Sequence, residues 1–115
     1  MFADPRKPSI VVSKPGKNIP VSEKSPVVID VGNIITVLPE TTLKIRCPAL
    51  GFPPPTVTWS KSGQQLKLGG KYSINEDGTL IIKGTTAEHA GKYTCKVENI
   101  LGQENVTSTV LVNGE

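Results

Sequence analysis

The sequence KYTCKVE at residues 92–98 alternates between side chains suited to a protein core and side chains suited to water. Tyr93, Cys95 and Val97 form the first set, and lysine, threonine and glutamate form the second. Because successive side chains of a β-strand point to opposite faces of the sheet, this run predicts a strand with one buried and one solvent-facing side. The same pattern places a cysteine in the protein interior.

This alternation recurs along the chain at residues 41–47, 56–60, 78–82 and 106–112. Turn residues separate the segments about every eight to twelve positions, a spacing typical of an antiparallel β-sandwich. Asp77-Gly78 and Gly102 lie where hairpins would require a positive φ, which glycine adopts without steric cost. Helical periodicity is confined to one predicted turn at residues 86–90, so the predicted fold class is all-β.

The length and composition exclude several classes of protein. A chain of 115 residues has the length of one domain, which excludes a multidomain enzyme. Hydrophobic residues make up 37% of the chain, enough to bury a core. No apolar run reaches the roughly 18 residues of a membrane span, so we expect no membrane insertion. We find no internal repeat, and this excludes a solenoid.

The net charge of +3 is confined to the N-terminal segment. Residues 1–25 contain five basic and two acidic side chains, whereas residues 26–115 contain eight of each. The larger segment lacks the broad basic face that nucleic acids require, and we expect no nucleic-acid partner. The basic tail is interpreted either as a solvated linker or as a weak, salt-sensitive contact for sulfated glycosaminoglycans through Lys14, Lys17 and Lys24.

The first 26 residues contain five of the ten prolines. Proline removes a backbone donor and fixes φ, which favours an extended, solvated chain. We therefore predict a proline-rich basic linker or added tail over residues 1–25 and a folded domain over residues 26–115. Residues 9–13 leave an alternative open, a short strand at the edge of this domain or at the end of a neighbouring one. Met1–Ala3 are interpreted as residues added for expression.

Four residues of the predicted strands have a characteristic spacing. Cys47 and Cys95 lie at inward positions of two different strands, Trp59 follows the first cysteine by twelve residues, and Tyr93 precedes the second by two. This arrangement resembles the signature residues of the immunoglobulin fold. The resemblance implies two antiparallel sheets with Greek-key topology and a disulfide between the cysteines. It also implies an indole packed against that disulfide and a tyrosine corner, in which the hydroxyl bonds to backbone.

Residues 51–59, GFPPPTVTW, further resemble the G-x-P-x-P-x-V-x-W run of I-set immunoglobulin domains, and the resemblance covers about residues 26–113. One position departs from the family, because His89 stands where its D-x-G-x-Y-x-C motif has an aspartate. In the family that aspartate commonly pairs with a basic residue, whose position Lys71 matches here. We therefore expect an exposed turn histidine and a lost contact, offset by Glu88 turning toward Lys71.

Residues 28–33 and 38–48 resemble the immunoglobulin domains of thrombospondin-repeat matrix proteins, the ADAMTS-like (punctin) and papilin group. This resemblance implies a secreted extracellular matrix glycoprotein whose partner is a matrix or cell-surface protein. A disulfide requires an oxidising compartment. Since the sequence starts without a secretion signal, we expect a domain excised from a longer secreted chain.

Asn105 begins the only N-x-[ST] acceptor in the sequence, at residues 105–107. The strand alternation places Asn105 outward and Val106 inward. We therefore predict a glycan on Asn105 if the protein is secreted. Such a glycan would cover part of one sheet and narrow the surface on which a partner could dock.

The sequence contains no arrangement of residues that would support catalysis. His89 is the only histidine, and no serine or cysteine nucleophile is expected beside it. Residues 75–77 supply oxygen atoms without the number or spacing of ligands that calcium needs. We therefore expect no enzymatic activity, no cofactor and no metal site, and we predict a module for protein interaction or spacing.

A second function stays open, that of an intracellular muscle or actin-associated I-set domain with reduced cysteines. Two outward basic pairs would then be the candidates to contact acidic actin. They are Lys44 with Arg46 and Lys92 with Lys96.

Overall fold

A computed structural model describes residues 5–11, 16, 18–20 and 26–113. Within these residues the chain forms twelve β-strands and one 3₁₀ turn, which spans Ala87–His89. In chain order the strands are β1 Arg6–Ile10, β2 Asn18–Pro20, β3 Val27–Asp30, β4 Ile34–Val37, β5 Leu43–Arg46, β6 Ala49–Phe52, β7 Thr56–Lys61, β8 Gln64–Gln65, β9 Tyr72–Ile74, β10 Leu80–Ile82, β11 Gly91–Asn99 and β12 Gly102–Val112.

The strands form two principal sheets with the core between them. The smaller sheet has the order β3-β5-β10-β9, and the larger has the order β2-β4-β12-β11-β7-β8. A separate two-stranded sheet pairs β1 with β6. The predicted all-β, immunoglobulin-like sandwich is confirmed. The sheets are not purely antiparallel as expected, because β3 with β5, β2 with β4 and β4 with β12 are parallel pairs.

The inward rows of the alternating segments meet in the core. Fully buried apolar side chains come from both sheets: Ile35, Val37, Leu43, Ile45, Leu80, Ile82, Tyr93, Cys95, Val97 and Val110. Val57, Val106 and Val112 belong to the same alternating segments and are partly buried against this cluster. The period-2 pattern therefore identifies the core correctly, and burial of these rows is the main force that holds the two sheets together.

The turns follow the predicted glycine positions. Gly78 has φ +88°, and its N–H donates to the Asn75 carbonyl at 3.0 Å, which closes the turn before β10. The Thr79 N–H donates to Asp77 Oδ1 at 3.0 Å, and this bond lowers the pKa of the Asp77 carboxyl. The single helical turn predicted at residues 86–90 is confirmed by the 3₁₀ turn.

Part of the N-terminal segment is strand rather than the solvated linker that its proline content predicts. β1 pairs with β6, and the backbone N–H of Ile10 donates to Glu104 Oε1 at 2.7 Å. Ile10 is buried, so apolar burial outweighs the cost of the nearby Pro8, which lies at a register shift where a missing donor is tolerated. Of the strand suggested at residues 9–13, residues 12 and 13 lie outside the described residues. The domain start at residue 26 stays a prediction.

β2 lies beside β4 at one edge of the larger sheet. The structure pairs Ile19 with Ile35 in a parallel register, and the Gly16 N–H donates to the Gly32 carbonyl at 2.7 Å. This contact places part of the N-terminal segment against the sandwich.

Candidate interaction surfaces

The disulfide between Cys47 and Cys95 joins the two principal sheets. Cys47 follows β5, Cys95 lies in β11, and their Cα atoms are 6.5 Å apart. Trp59 stands opposite Cys95 in the β7–β11 register, and its Nε1–H donates to the Gly78 carbonyl at 2.8 Å. Both cysteines and the indole are buried. These residues form the structural centre that the resemblance implied, and none of them is available to a partner.

Tyr93 forms the expected tyrosine corner. Its hydroxyl donates to the His89 carbonyl at 2.6 Å, so the Tyr72 hydroxyl, 3.0 Å away, donates to the Tyr93 oxygen. Burial, and to a lesser degree the contact with Tyr72, raises the pKa of Tyr93 well above its ordinary value. The phenol is therefore neutral and acts as a fixed donor that holds the 3₁₀ turn against β11.

His89 is buried, contrary to the prediction of an exposed turn residue. Only 6% of its surface is accessible, and its ring packs edge-on against Tyr72 with 5.4 Å between ring centroids. Nδ1 accepts the backbone N–H of Thr86 at 2.8 Å, so the ring is neutral with its proton on Nε2. This is the role that glutamate or glutamine has in a capping box. The histidine thus replaces the family's aspartate by capping the turn.

The charges around His89 also differ from the expected arrangement. Lys71 Nζ donates to the Gly84 carbonyl at 2.9 Å, and the predicted compensation by Glu88 turning toward Lys71 does not occur. Lys61 Nζ instead donates to the Glu88 carbonyl. Burial lowers the pKa of His89, and the nearby Lys71 and Lys61 lower it further, while Glu88 opposes them. The imidazole is therefore held neutral between two cations.

Asn105 is exposed on the outer face of the larger sheet. It pairs with Lys96 on β11, and both side chains point away from the core. The next outward position, Thr107, contacts the Thr94 hydroxyl at 2.8 Å between oxygen atoms. This surface is polar, and a glycan on Asn105 would lie over it. Glycosylation of Asn105 itself stays a prediction.

The two outward basic pairs are partly neutralised by neighbouring carboxylates. Arg46 contacts Asp30 at 3.6 Å between nitrogen and oxygen, and Lys96 contacts Glu98 at the same distance. Exposed pairs of this kind contribute little stability, but they reduce the net positive charge that each face offers to an acidic partner.

Grouped metal ligands and membrane-spanning helices are both absent from the part of the chain that the structure describes. Among residues 5–11, 16, 18–20 and 26–113, no three histidine, cysteine, aspartate or glutamate side chains are grouped so that they could hold a metal ion. The described residues also contain no helix that is long and apolar enough to cross a membrane.

One end of the sandwich exposes an apolar group that the sequence analysis did not identify. We call Phe52, Pro53, Ile100 and Leu101 the tip patch. Phe52 ends β6 and Pro53 follows it, and the other two residues form the turn between β11 and β12. Asn99 joins the two halves, because its Nδ2 donates to the Pro53 carbonyl at 3.0 Å. The available signal was the pair of large apolar residues in a hairpin turn, where glycine or asparagine is usual.

Comparison with known proteins agrees with this geometry. The family model for the immunoglobulin I-set domain matches residues 26–112. The chain belongs to the immunoglobulin I-set family. Mouse immunoglobulin superfamily member 10 is 40% identical over 73 residues, which cover 60% of the chain and 3% of that protein. Human leucine-rich repeats and immunoglobulin-like domains protein 1 is 32% identical over 103 residues, which cover 89% of the chain and 8% of that protein.

A solved structure, titin domain M7, superposes on this I-set domain with a TM-score of 0.74 and 27% identity, covering 98% of the chain and 100% of the titin domain. Immunoglobulin domains are generally non-catalytic and commonly bind other proteins, so the I-set domain is an interaction module. The chain spans from 3% to 10% of the length of the relatives it matches. The activities of those whole proteins therefore do not transfer to this domain.

Proposed function

We propose that this I-set domain is a non-catalytic interaction or spacing module of a secreted extracellular matrix glycoprotein. The observation that supports this most is the buried Cys47–Cys95 disulfide, since thiols in the cytosol are kept reduced. The exposed Asn105 acceptor agrees with passage through the secretory pathway. The partner under this proposal is a matrix or cell-surface protein.

Expression through the secretory pathway of mammalian cells tests this proposal. Mass spectrometry of the secreted protein should find no free thiol and a glycan on the peptide that contains Asn105. An Asn105→Gln variant, which keeps the amide but removes the acceptor, should be secreted with the disulfide and without the glycan. Two free thiols in a folded wild-type domain would contradict the proposal.

We further propose that the full-length protein is of the ADAMTS-like or papilin type. It is supported by the resemblance of residues 28–33 and 38–48 to the domains of that group. The sequence that flanks this domain in the full-length chain tests it, because thrombospondin repeats should lie in the same chain. Flanking repeats of another kind would remove this parentage and leave the I-set assignment intact.

The intracellular, actin-associated function is a weaker candidate. Its outward basic pairs remain exposed or half-exposed, but Arg46 and Lys96 each contact a carboxylate. Co-sedimentation with actin filaments tests it, and substitution of Lys44 with Arg46, or of Lys92 with Lys96, should abolish binding if it is correct.

A contact between the basic tail and sulfated glycosaminoglycans is proposed as a separate, weak interaction. Lys14, Lys17 and Lys24 lie outside the described residues. Retention on a heparin column should fall when residues 1–25 are deleted and should fall with added salt. Unchanged retention of the truncated chain would dismiss the tail as the contact.

A further inference from the structure

The tip patch exposes apolar surface to solvent in the free domain. Ile100 is 87% exposed, Phe52 is 43% exposed and Leu101 is 38% exposed. Scattered exposed leucines are ordinary on protein surfaces, but adjoining apolar side chains mark interaction sites. We propose that the tip patch is a docking surface for a protein that presents apolar side chains beside carboxylates. This inference deepens the interaction function proposed above and rests on it.

Asn99 fixes the arrangement of the tip patch in the unbound domain. Its Oδ1 accepts the Leu101 N–H at 2.8 Å, which fixes the hairpin turn. Its Nδ2 donates to the carbonyl of Pro53 at 3.0 Å and to that of Arg6 at 2.8 Å. One side chain therefore joins the hairpin, the loop after β6 and the start of β1. Because these segments are already ordered, binding loses less conformational entropy than it would on a free loop.

The charges beside the tip patch indicate the chemistry of the partner. Arg6 pairs with Phe52 across β1 and β6, and Lys7 follows it; both are exposed, and neither forms an ion pair within the described part of the chain. Glu98 on β11 contacts a lysine, and Glu104 on β12 accepts a backbone N–H of β1 but keeps its negative charge. Arg6 and Lys7 outnumber Glu104, so the rim carries a net positive charge, and a partner with carboxylates around an apolar centre complements it.

Two other occupants fit the tip patch less well. A two-fold contact between copies would bring Arg6 and Lys7 of both chains toward one another, and like charges disfavour such a contact. An anionic membrane would satisfy the positive rim. However, Phe52 and Leu101 are less than half exposed, so Ile100 supplies most of the apolar area that could enter a bilayer, and this area is too small for stable binding in the interface.

The experiment uses a random-peptide phage library as the probe and the full chain as the target. Peptides that combine aromatic or aliphatic residues with aspartate or glutamate should be enriched, and a synthetic peptide with the enriched sequence should bind the wild-type chain in calorimetry. Ile100→Ser should weaken this binding about tenfold or more. A variant with Arg6→Glu and Lys7→Glu should weaken it and reduce its dependence on salt.

Leu111→Ser is the matched control, because Leu111 is also exposed, at 45%, but lies near the far end of β12. Its affinity for the peptide should equal that of the wild type. Circular dichroism and the unfolding midpoint should be unchanged for Ile100→Ser, since that side chain contributes no buried surface.

Several results would overturn the tip patch as a protein-docking surface. They are a failure to enrich acidic and apolar peptides, binding that Ile100→Ser leaves intact, dimers in sedimentation that Ile100→Ser dissociates, and binding to phosphatidylserine vesicles that Ile100→Ser abolishes. A glycosylated, disulfide-bonded secreted chain that gives any of these results would retain the function proposed above and lose only this surface.

Discussion

His89 should make the domain less stable in mild acid than a variant that cannot be protonated at this position. The folded state holds the ring neutral, with Nδ1 accepting the Thr86 N–H. A proton on Nδ1 would leave that N–H without its acceptor and add a third positive charge beside Lys61 and Lys71. The other side chain packed on the ring is that of Tyr72.

The sign of the effect follows from the lowered pKa. As the pH falls, the unfolded chain binds a proton at this histidine before the folded chain does. The contribution of His89 to stability is therefore complete above its ordinary pKa of 6.5 and is lost as the pH falls from there to the folded-state pKa. A difference of one bound proton limits the slope to about 1.4 kcal/mol per pH unit. For a domain of this size, about 1 kcal/mol shifts Tm by about 4 to 8 °C.

Urea unfolding followed by the fluorescence of Trp59, at a series of pH values from neutral to mildly acidic, measures this loss. His89→Gln is the matched control, because glutamine accepts the same N–H in a capping box and does not titrate. Carboxylates that protonate at lower pH affect both proteins equally and cancel in the difference. The free energy of unfolding should fall more steeply for the wild type below the ordinary histidine pKa. Parallel curves for the two proteins would refute the reasoning.

Three further changes test the core. Replacing Cys47 and Cys95 together with alanine should lower the free energy of unfolding by about 4 kcal/mol, because the disulfide closes a loop with a sequence separation of 48 residues. Calorimetry of both proteins measures this loss, and a loss below about 1 kcal/mol would contradict the prediction. Trp59→Phe should cost about 2 kcal/mol in urea unfolding followed by circular dichroism, since it leaves the Gly78 carbonyl without its donor, and an unchanged midpoint would count against that bond. Gly78→Ala should destabilise by about 1 to 3 kcal/mol, because its φ is +88° and a Cβ would lie 3.0 Å from Val57 Cγ1; equal thermal stability would show that the turn relaxes.

The sandwich could be predicted from the sequence because its strands have one buried and one solvent-exposed face. Leu43 with Ile45, and Tyr93 with Val97, are separated by polar residues, and this local pattern requires no knowledge of the partner strand. The disulfide and the indole beside it came from the family resemblance. Nothing in the spacing alone pairs two cysteines.

The N-terminal strands could not be predicted in the same way. β1 forms because β6 offers it a partner and Glu104 accepts its Ile10 N–H, and both contacts join residues far apart in the sequence. Proline content is a local property, and tertiary pairing overrides it here. The parallel pairings also depend on the path of the whole chain, which alternation does not encode.

The surfaces were the least predictable part. Burial of His89 depends on Tyr72 of another strand, whereas its place in a predicted turn predicts exposure. The tip patch depends on Asn99, whose side chain joins the turn between β11 and β12 to the backbone of residues 6 and 53, far away in the sequence. Polar side chains that bond to distant carbonyls leave little trace in a single sequence.

The parallel pairing of β2 with β4 determines where the larger sheet ends. β2 runs beside β4 in the same direction, with Ile19 next to Ile35 and the Gly16 N–H bonded to the Gly32 carbonyl. β2 is the outermost strand at this edge, and its Pro20 has no backbone N–H to offer to a further strand. The N-terminal segment therefore covers an edge of β4 that would otherwise be open to pairing with another chain.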